Sequence, residues 1–176
     1  MTHDIILAGF GGQGILFMGK VLAYSGLIDE KEVSWLPSYG PEMRGGTCNC
    51  SVCISDEPIG SPLVTAPTIL IAMNTPSLEK FIDSVVPNGI VICDSTMVDI
   101  EVKRDDVKVF YVPATQLSSD NELKGGANII LTGKLIKESG IFSKETFEKA
   151  IKKIVPPAKE QLIANNMKAI QIGMDA

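Results

Sequence analysis

Apolar runs and amphipathic stretches alternate along the chain. Ile5 to Ala8 is a short run without polar interruption, the mark of a strand buried on both faces. Gly9-Phe10-Gly11-Gly12-Gln13-Gly14 reads as the turn after it, and Ile15 to Leu27 follows with helical spacing, Ile15, Met18, Leu22 and Tyr24 on or near one face. Glu32 to Leu36 predicts a second strand, ended by Pro37, and Thr47 to Ile54 a third. Ile69 to Met73 is a fourth apolar run, followed by a Thr75-Pro76 helix start and a helix to about Ser84. Gly89 to Cys93, reached by Pro87-Asn88, predicts a fifth strand, and Val107 to Val112 a sixth.

The remainder is mostly helical. Asn128 to Glu138 carries apolar residues at Ile129, Leu131, Leu135 and Ile136. Ser143 opens a further helix, with Thr146 where a full capping box would have an acid or amide. Pro156-Pro157 separates it from a last helix, roughly Ala158 to Ile172. This order predicts an α/β domain over residues 1–176: a Rossmann-like, open, mainly parallel sheet with helices on both faces. There is no internal repeat, linker or low-complexity segment.

Composition narrows the function classes. The 176 residues include 45% hydrophobic and 21% charged positions, ordinary for a globular domain with a full core. A net charge of −5 argues against a nucleic-acid or anionic-membrane partner, which would leave a basic footprint. No apolar run approaches the roughly 20 residues that span a bilayer. Asp4 immediately before the first strand leaves no room for a signal peptide, so the expectation is cytoplasmic, with Cys48, Cys50, Cys53 and Cys93 as reduced thiols. His3 is the single histidine and sits near the terminus, which removes Ser-His-Asp triads, histidine-rich zinc sites and a histidine base in a cleft.

Two segments carry candidate chemistry. Gly9, Gly11 and Gly14 fit the G-x-G-x-x-G pattern after a strand and at a helix start. Such a turn aims backbone N–H groups at an anion, or else simply lets the helix pack closely on the sheet. Ordinary NAD binding expects a carboxylate at the end of the second strand, where this chain has Trp35-Leu36-Pro37-Ser38. The second segment, Ser34 to Ser61, runs from strand into a loop dense in Gly, Pro and Ser and back into strand. Within it Arg44 is the only Lys or Arg between Lys31 and Lys80, and it is flanked by Gly45 and Gly46, where backbone can approach an anion.

Other residues invite roles and admit plainer ones. Cys48 and Cys50 should point to one face of their strand and Cys53 to the other, which prevents convergence on one metal and favours small core hydrophobes. Tyr39 and Glu42 could serve acid–base chemistry, though Glu42 could equally pair with Arg44. Asp94 lies at a strand's C-terminal edge, where open α/β sheets bind ligands, or else caps the turn at Ser95-Thr96. Lys124-Gly125-Gly126-Ala127-Asn128 is either a second anion-binding helix start or a plain one.

Taken in order, the glycine turn Gly9 to Gly14, then Ser38-Tyr39-Gly40-Pro41-Glu42-Met43-Arg44-Gly45-Gly46, then Val52 to Pro62 and Asn128 to Gly133 resemble the gamma subunit of 2-oxoacid:ferredoxin oxidoreductases, most of all the 2-oxoglutarate branch and next the branched-chain branch. The Cys48-Asn49-Cys50 stretch departs from the small residues expected there. The resemblance implies a subunit of an enzyme that oxidatively decarboxylates a 2-oxoacid onto coenzyme A and passes electrons to ferredoxin. It implies alpha, beta and ferredoxin-like partner subunits that hold thiamine diphosphate and [4Fe-4S] clusters. For this chain it implies closing the active-site cleft and helping to bind coenzyme A, with no catalytic residue and no metal ligand of its own. The turn glycines Gly9, Gly11, Gly12 and Gly14 would supply N–H groups and Gln13 a side-chain donor. Ser38, Tyr39 and Arg44 would form the cleft-facing loop. Subunits of ketoisovalerate or indolepyruvate ferredoxin oxidoreductases, and a freestanding nucleotide- or phosphate-binding module, are the alternatives.

Overall fold

The computed structural model describes residues 2–38 and 47–176. Among these, six strands form one sheet: β1 (Thr2–Phe10), β2 (Glu32–Ser38), β3 (Thr47–Ser55), β4 (Ile69–Ala72), β5 (Ile90–Asp94) and β6 (Lys108–Val112). The helices are α1 (Ile15–Ile28), α2 (Thr75–Phe81), α3 (Ala114–Asp120), α4 (Ala127–Ser139), α5 (Lys144–Ile154) and α6 (Glu160–Asp175). The sheet order is β2-β3-β1-β4-β5-β6, parallel from β1 through β6 and antiparallel on both sides of β3. One strand therefore runs against the rest, and the mainly parallel α/β reading holds.

The alternation of side chains across the pleat divides the core. Ile5, Leu7, Ile69, Ile71 and Ile92 face α1 and α4, with α5 and α6 packed behind them and Phe147, Ile151 and Ile170 fully buried. Ile6, Ala8, Leu70, Ala72, Val91 and Cys93 face the other way. That second face is covered by one seven-residue helix, α2, and by side chains from connecting segments such as Val64, Val85 and Val98. Both faces are covered, but unequally.

Local sequence explains most boundaries. Asn74 caps α2 by accepting from Ser77 N at 2.9 Å, with Pro76 in the first turn. Ser143 caps α5 by accepting from Thr146 N at 3.0 Å, and α4 ends on left-handed Gly140. The strand predicted to stop at Pro37 continues to Ser38, because β2 is an edge strand and tolerates a missing donor. His3, near the terminus in sequence, lies within β1 opposite Ile54.

Helix α3 was not foreseen, since Ala114–Asp120 carries a single large apolar residue, Leu117. Asp94 explains it. The buried carboxylate accepts from Thr96 N at 3.1 Å, Thr115 N at 3.2 Å and Thr115 Oγ1 at 2.5 Å, so it ties the turn after β5 to the start of α3. Of the two readings of Asp94, capping is the one realised.

Helices α4 and α6 approach through glycine. A Cβ on Gly173 would lie 1.8 Å from the Ile130 carbonyl oxygen, and one on Gly133 would lie 2.2 Å from that of Ile170. Backbone cannot retreat as a flexible side chain can, so either Gly133→Ala or Gly173→Ala should cost about 1–3 kcal/mol or more in urea or thermal unfolding. Gly60→Ala, where an added Cβ meets nothing within 4 Å, should stay within about 0.5 kcal/mol of the parent. Equal effects at the three positions would show that the helices separate without penalty.

Candidate functional site

The end of β1 is where the sheet and the first helix leave an opening. The chain turns at Phe10–Gln13, with Gln13 N donating to Phe10 O at 3.2 Å, and reaches Gly14, the left-handed N-cap of α1, at φ 76° and ψ 23°. Gly12 is also left-handed, at φ 97°, and a Cβ there would meet nothing within 4 Å. Glycine frees the chain to take both conformations and leaves the backbone uncovered on that side. Among the described residues no side chain caps the first turn of α1, so the positive end of a 14-residue helix faces the opening with N–H groups that have no partner among those residues.

A recess of about 270 Å³ lies there, lined by Phe10, Gly11, Gly12, Gly14, Ile15, Leu16 and Phe17 from the turn and helix, by Ser38 from the end of β2, and by Thr47 and Cys48 from the start of β3. Among the described lining residues the side chains are apolar apart from the hydroxyls of Ser38 and Thr47 and the thiol of Cys48. None of the described lining residues carries a formal charge. The register places Phe10 opposite Thr47 and Ser38 opposite Asn49. The residues on either side of the 39–46 segment, which carries Arg44, are thus both built into the recess wall.

Of the eight predicted binding residues, Gly11, Gly12, Gly14 and Ser38 line this recess. Gly9 does not. It lies in β1, where a Cβ would fall 2.6 Å from Gln13 Oε1 and 2.9 Å from Ile15 Cδ1, so its smallness serves close packing. Gln13 turns inward: Oε1 accepts from Phe10 N at 2.6 Å and from Asn74 Nδ2 at 3.3 Å, and Nε2 donates to Met73 O at 3.1 Å. Its amide tethers the turn to the end of β4. Tyr39 and Arg44, with Glu42, lie outside the described residues.

The second glycine-rich start, Lys124 to Asn128, does begin a helix, and it meets the first. Asn128 Nδ2 donates to Gly14 O at 3.0 Å. This contact joins residues 114 positions apart, and neither the glycine pattern nor the helix periodicity announces it.

The cysteines divide across the sheet as their spacing predicted. Cys50 is buried toward α1 with Cys48 packed beside that cluster, whereas Cys53 and Cys93 are buried on the opposite face. Burial pushes the Cys50 thiol up to about 12, against a hydrogen bond from the Trp35 indole that lowers it; Cys93 is pushed up to about 12 and Cys53 to about 11, burial again the main cause. A sheet separates these sulfurs, and they do not fit an iron–sulfur cluster held by this chain.

Residues 4–176 match the family described as pyruvate ferredoxin/flavodoxin oxidoreductase. The chain is 39% identical over 164 residues to the 2-oxoglutarate synthase subunit KorC of Methanocaldococcus jannaschii, covering 92% of this chain and 88% of that protein. It is 38% identical over 171 residues to the ketoisovalerate oxidoreductase subunit VorA of Methanothermobacter thermautotrophicus, covering 96% of this chain. There the chain spans about a third (35%) of the relative's length. Among solved structures, the keto/oxoacid ferredoxin oxidoreductase gamma subunit of Geobacter sulfurreducens superposes with a TM-score of 0.86 at 28% identity, over 99% of this chain and 95% of that one. The 2-oxoglutarate:ferredoxin oxidoreductase of Magnetococcus marinus, solved with 2-oxoglutarate, coenzyme A and succinyl-CoA bound, shares the fold at a TM-score of 0.88 and 22% identity; 99% of this chain matches 30% of that one.

The buried thiols yield a measurable pH effect. Their folded values lie above the ordinary 9.0, so the stability they lend is complete below about pH 9 and is lost as pH rises toward 11–12, because the unfolded chain ionises first. The melting temperature should fall between about pH 9 and pH 10.5, less steeply in Cys50→Ala than in the parent. At pH 8 a thiol reagent should reach half-buried Cys48 first, and the other three only on unfolding. Equal labelling rates at all four sulfurs would contradict the burial described.

Proposed function

This chain belongs to the pyruvate ferredoxin/flavodoxin oxidoreductase family, and on that premise we propose that it is the gamma-type subunit of a 2-oxoacid:ferredoxin oxidoreductase, whose recess at the start of α1 receives a phosphorylated part of coenzyme A. The observation that carries the reading is the recess itself. Backbone amides at a helix N-terminus, without a partner among the described residues, share one wall with Ser38 and Thr47, between which the chain supplies Tyr39 and Arg44. Amides and a guanidinium are the donors a diphosphate or ribose phosphate requires, and the apolar floor of Ile15, Leu16 and Phe17 suits an adjacent uncharged part of the ligand.

Among the described residues the site has no acid–base pair. None of its described lining residues is a carboxylate, histidine or lysine. In this proposal the bond-breaking belongs to partner subunits, where thiamine diphosphate supplies the carbanion stabilisation and [4Fe-4S] clusters carry electrons to ferredoxin. This chain binds and orients the acyl acceptor: the amides of Gly11, Gly12 and Gly14 hold negative oxygen, Arg44 supplies the formal charge, and Ser38 adds a hydroxyl. The alpha, beta and ferredoxin-like subunits are the proposed partners. The similarity to KorC supports 2-oxoglutarate as the 2-oxoacid. Nearly equal similarity to VorA supports a branched-chain 2-oxoacid as the second reading.

In the reconstituted complex, Arg44→Ala should raise KM for coenzyme A about tenfold or more while KM for the 2-oxoacid moves less than twofold, since a charge-assisted contact is worth about 1.5–3 kcal/mol. An unchanged coenzyme A dependence removes Arg44 from the site. Turnover against a panel of 2-oxoacids decides between the two substrates: 2-oxoglutarate should give the highest kcat/KM, and a preference for branched chains would transfer the assignment to the second reading.

A further inference from the structure

We propose that Asn128 is a positioning residue of the recess, acting through Gly14: its side-chain amide fixes the direction in which the glycine turn presents its N–H groups to a phosphorylated acyl acceptor. The inference rests on the function proposed above.

Asn128 is the second residue of α4 and only 3% exposed. Asparagine is a poor helix former, and a buried amide is costly unless both its ends are bonded. Here both are. Nδ2 donates to Gly14 O at 3.0 Å, and Oδ1 accepts from Ile129 N at 2.9 Å. The Gly14 carbonyl also accepts Met18 N at 3.0 Å, the first hydrogen bond of α1, so one oxygen joins the starts of two helices.

The fit between the two residues is mutual. A Cβ at position 14 would lie 2.3 Å from Asn128 Nδ2, so the approach needs glycine for space as well as for its φ of 76°. Glycines at positive φ swing easily, and both Gly12 and Gly14 adopt it. Left untied, the N–H groups between them would point in many directions. Gln13 ties the turn to Met73 on one flank, and Asn128 ties it to α4 on the other. Asn128 is not among the described residues lining the recess, and its contact with the site is through Gly14 of the turn.

A residue that merely joins α1 to α4 would affect stability alone. The test therefore uses the reconstituted complex and compares Asn128→Ala with Thr132→Val, which removes the buried hydroxyl donating to Asn128 O at 2.9 Å within the same helix. Asn128→Ala should raise KM for coenzyme A about tenfold, the loss of one well-placed hydrogen bond's orientation. KM for the 2-oxoacid, and kcat at saturating coenzyme A, should stay within about twofold. Thr132→Val should lower the melting temperature without moving KM for coenzyme A. Should Asn128→Ala not assemble, Asn128→Ser, which keeps a shorter donor, should show a smaller shift of the same kind. An Asn128 variant that loses melting temperature but keeps its coenzyme A KM overturns the proposal. Arg44→Ala, measured alongside, separates the failures: a shift there with none at Asn128 rejects only the positioning role, and no shift in either rejects the recess as the coenzyme A site.

Discussion

The reversal of β3 is the constraint on which the rest of the site depends. In an ordinary doubly wound sheet the second strand lies beside the first, and the crevice after β1 is bounded by two parallel strands. Here β2 follows α1 but pairs only with β3, and β3 enters antiparallel between β2 and β1. An antiparallel neighbour brings its own beginning to the end of β1. Thr47 therefore faces Phe10, and Ser38 ends a strand on the same edge. One strand direction thus places the glycine turn and both shoulders of the Arg44-bearing segment around a single recess. It also explains why no carboxylate is needed at the end of β2: that strand end is not where a ribose would lie in a dinucleotide site.

Much of this was legible in the residues. The six strands and most of the helices follow from apolar runs, Gly and Pro punctuation and caps, because each depends on near neighbours. The division of the cysteines between faces followed from period two alone. Strand order did not, since nothing local in Thr47 to Ser55 says which way it runs or what it pairs with. Helix α3 escaped because its stability comes from Asp94, 20 residues before its first residue, instead of from an apolar stripe. At the recess, Gly11 and Gly14 of the glycine pattern and Gly12 between them form part of the lining, whereas the inward roles of Gly9 and Gln13 depend on Met73 and Asn74, which only the fold brings near. Asn128 fell within a segment marked by resemblance, yet its partner Gly14 is visible only in three dimensions.

The electrostatics follow from the same geometry. The chain carries a net charge of −5, which at long range repels an anion. That field is screened within about 8–10 Å at ordinary ionic strength, whereas helix-end amides act at hydrogen-bond distance with roughly half an elementary charge behind them. A recess whose described lining offers amides and hydroxyls and no carboxylate is therefore a local exception on an acidic molecule. Such a site favours an anion held at contact over one steered from a distance.

The two tethers of the turn belong to this logic because both are neutral amides. A lysine or arginine in place of Gln13 or Asn128 would bring its own charge and its own hydration into a tightly packed junction, and a carboxylate there would have no proton to give the Met73 or Gly14 carbonyl and would compete with a ligand anion for the positive helix end. An amide offers a donor and an acceptor on one rigid plane. Gln13 uses both, taking Phe10 N while giving to Met73 O. Asn128 uses both, taking Ile129 N while giving to Gly14 O. The turn is thereby held through the Gly14 carbonyl, the Phe10 N–H and the Gln13 side chain, leaving the amides of Gly11, Gly12 and Gly14 without a partner among the described residues. A ligand meeting them need not pay to order the loop, since the fold has already done so.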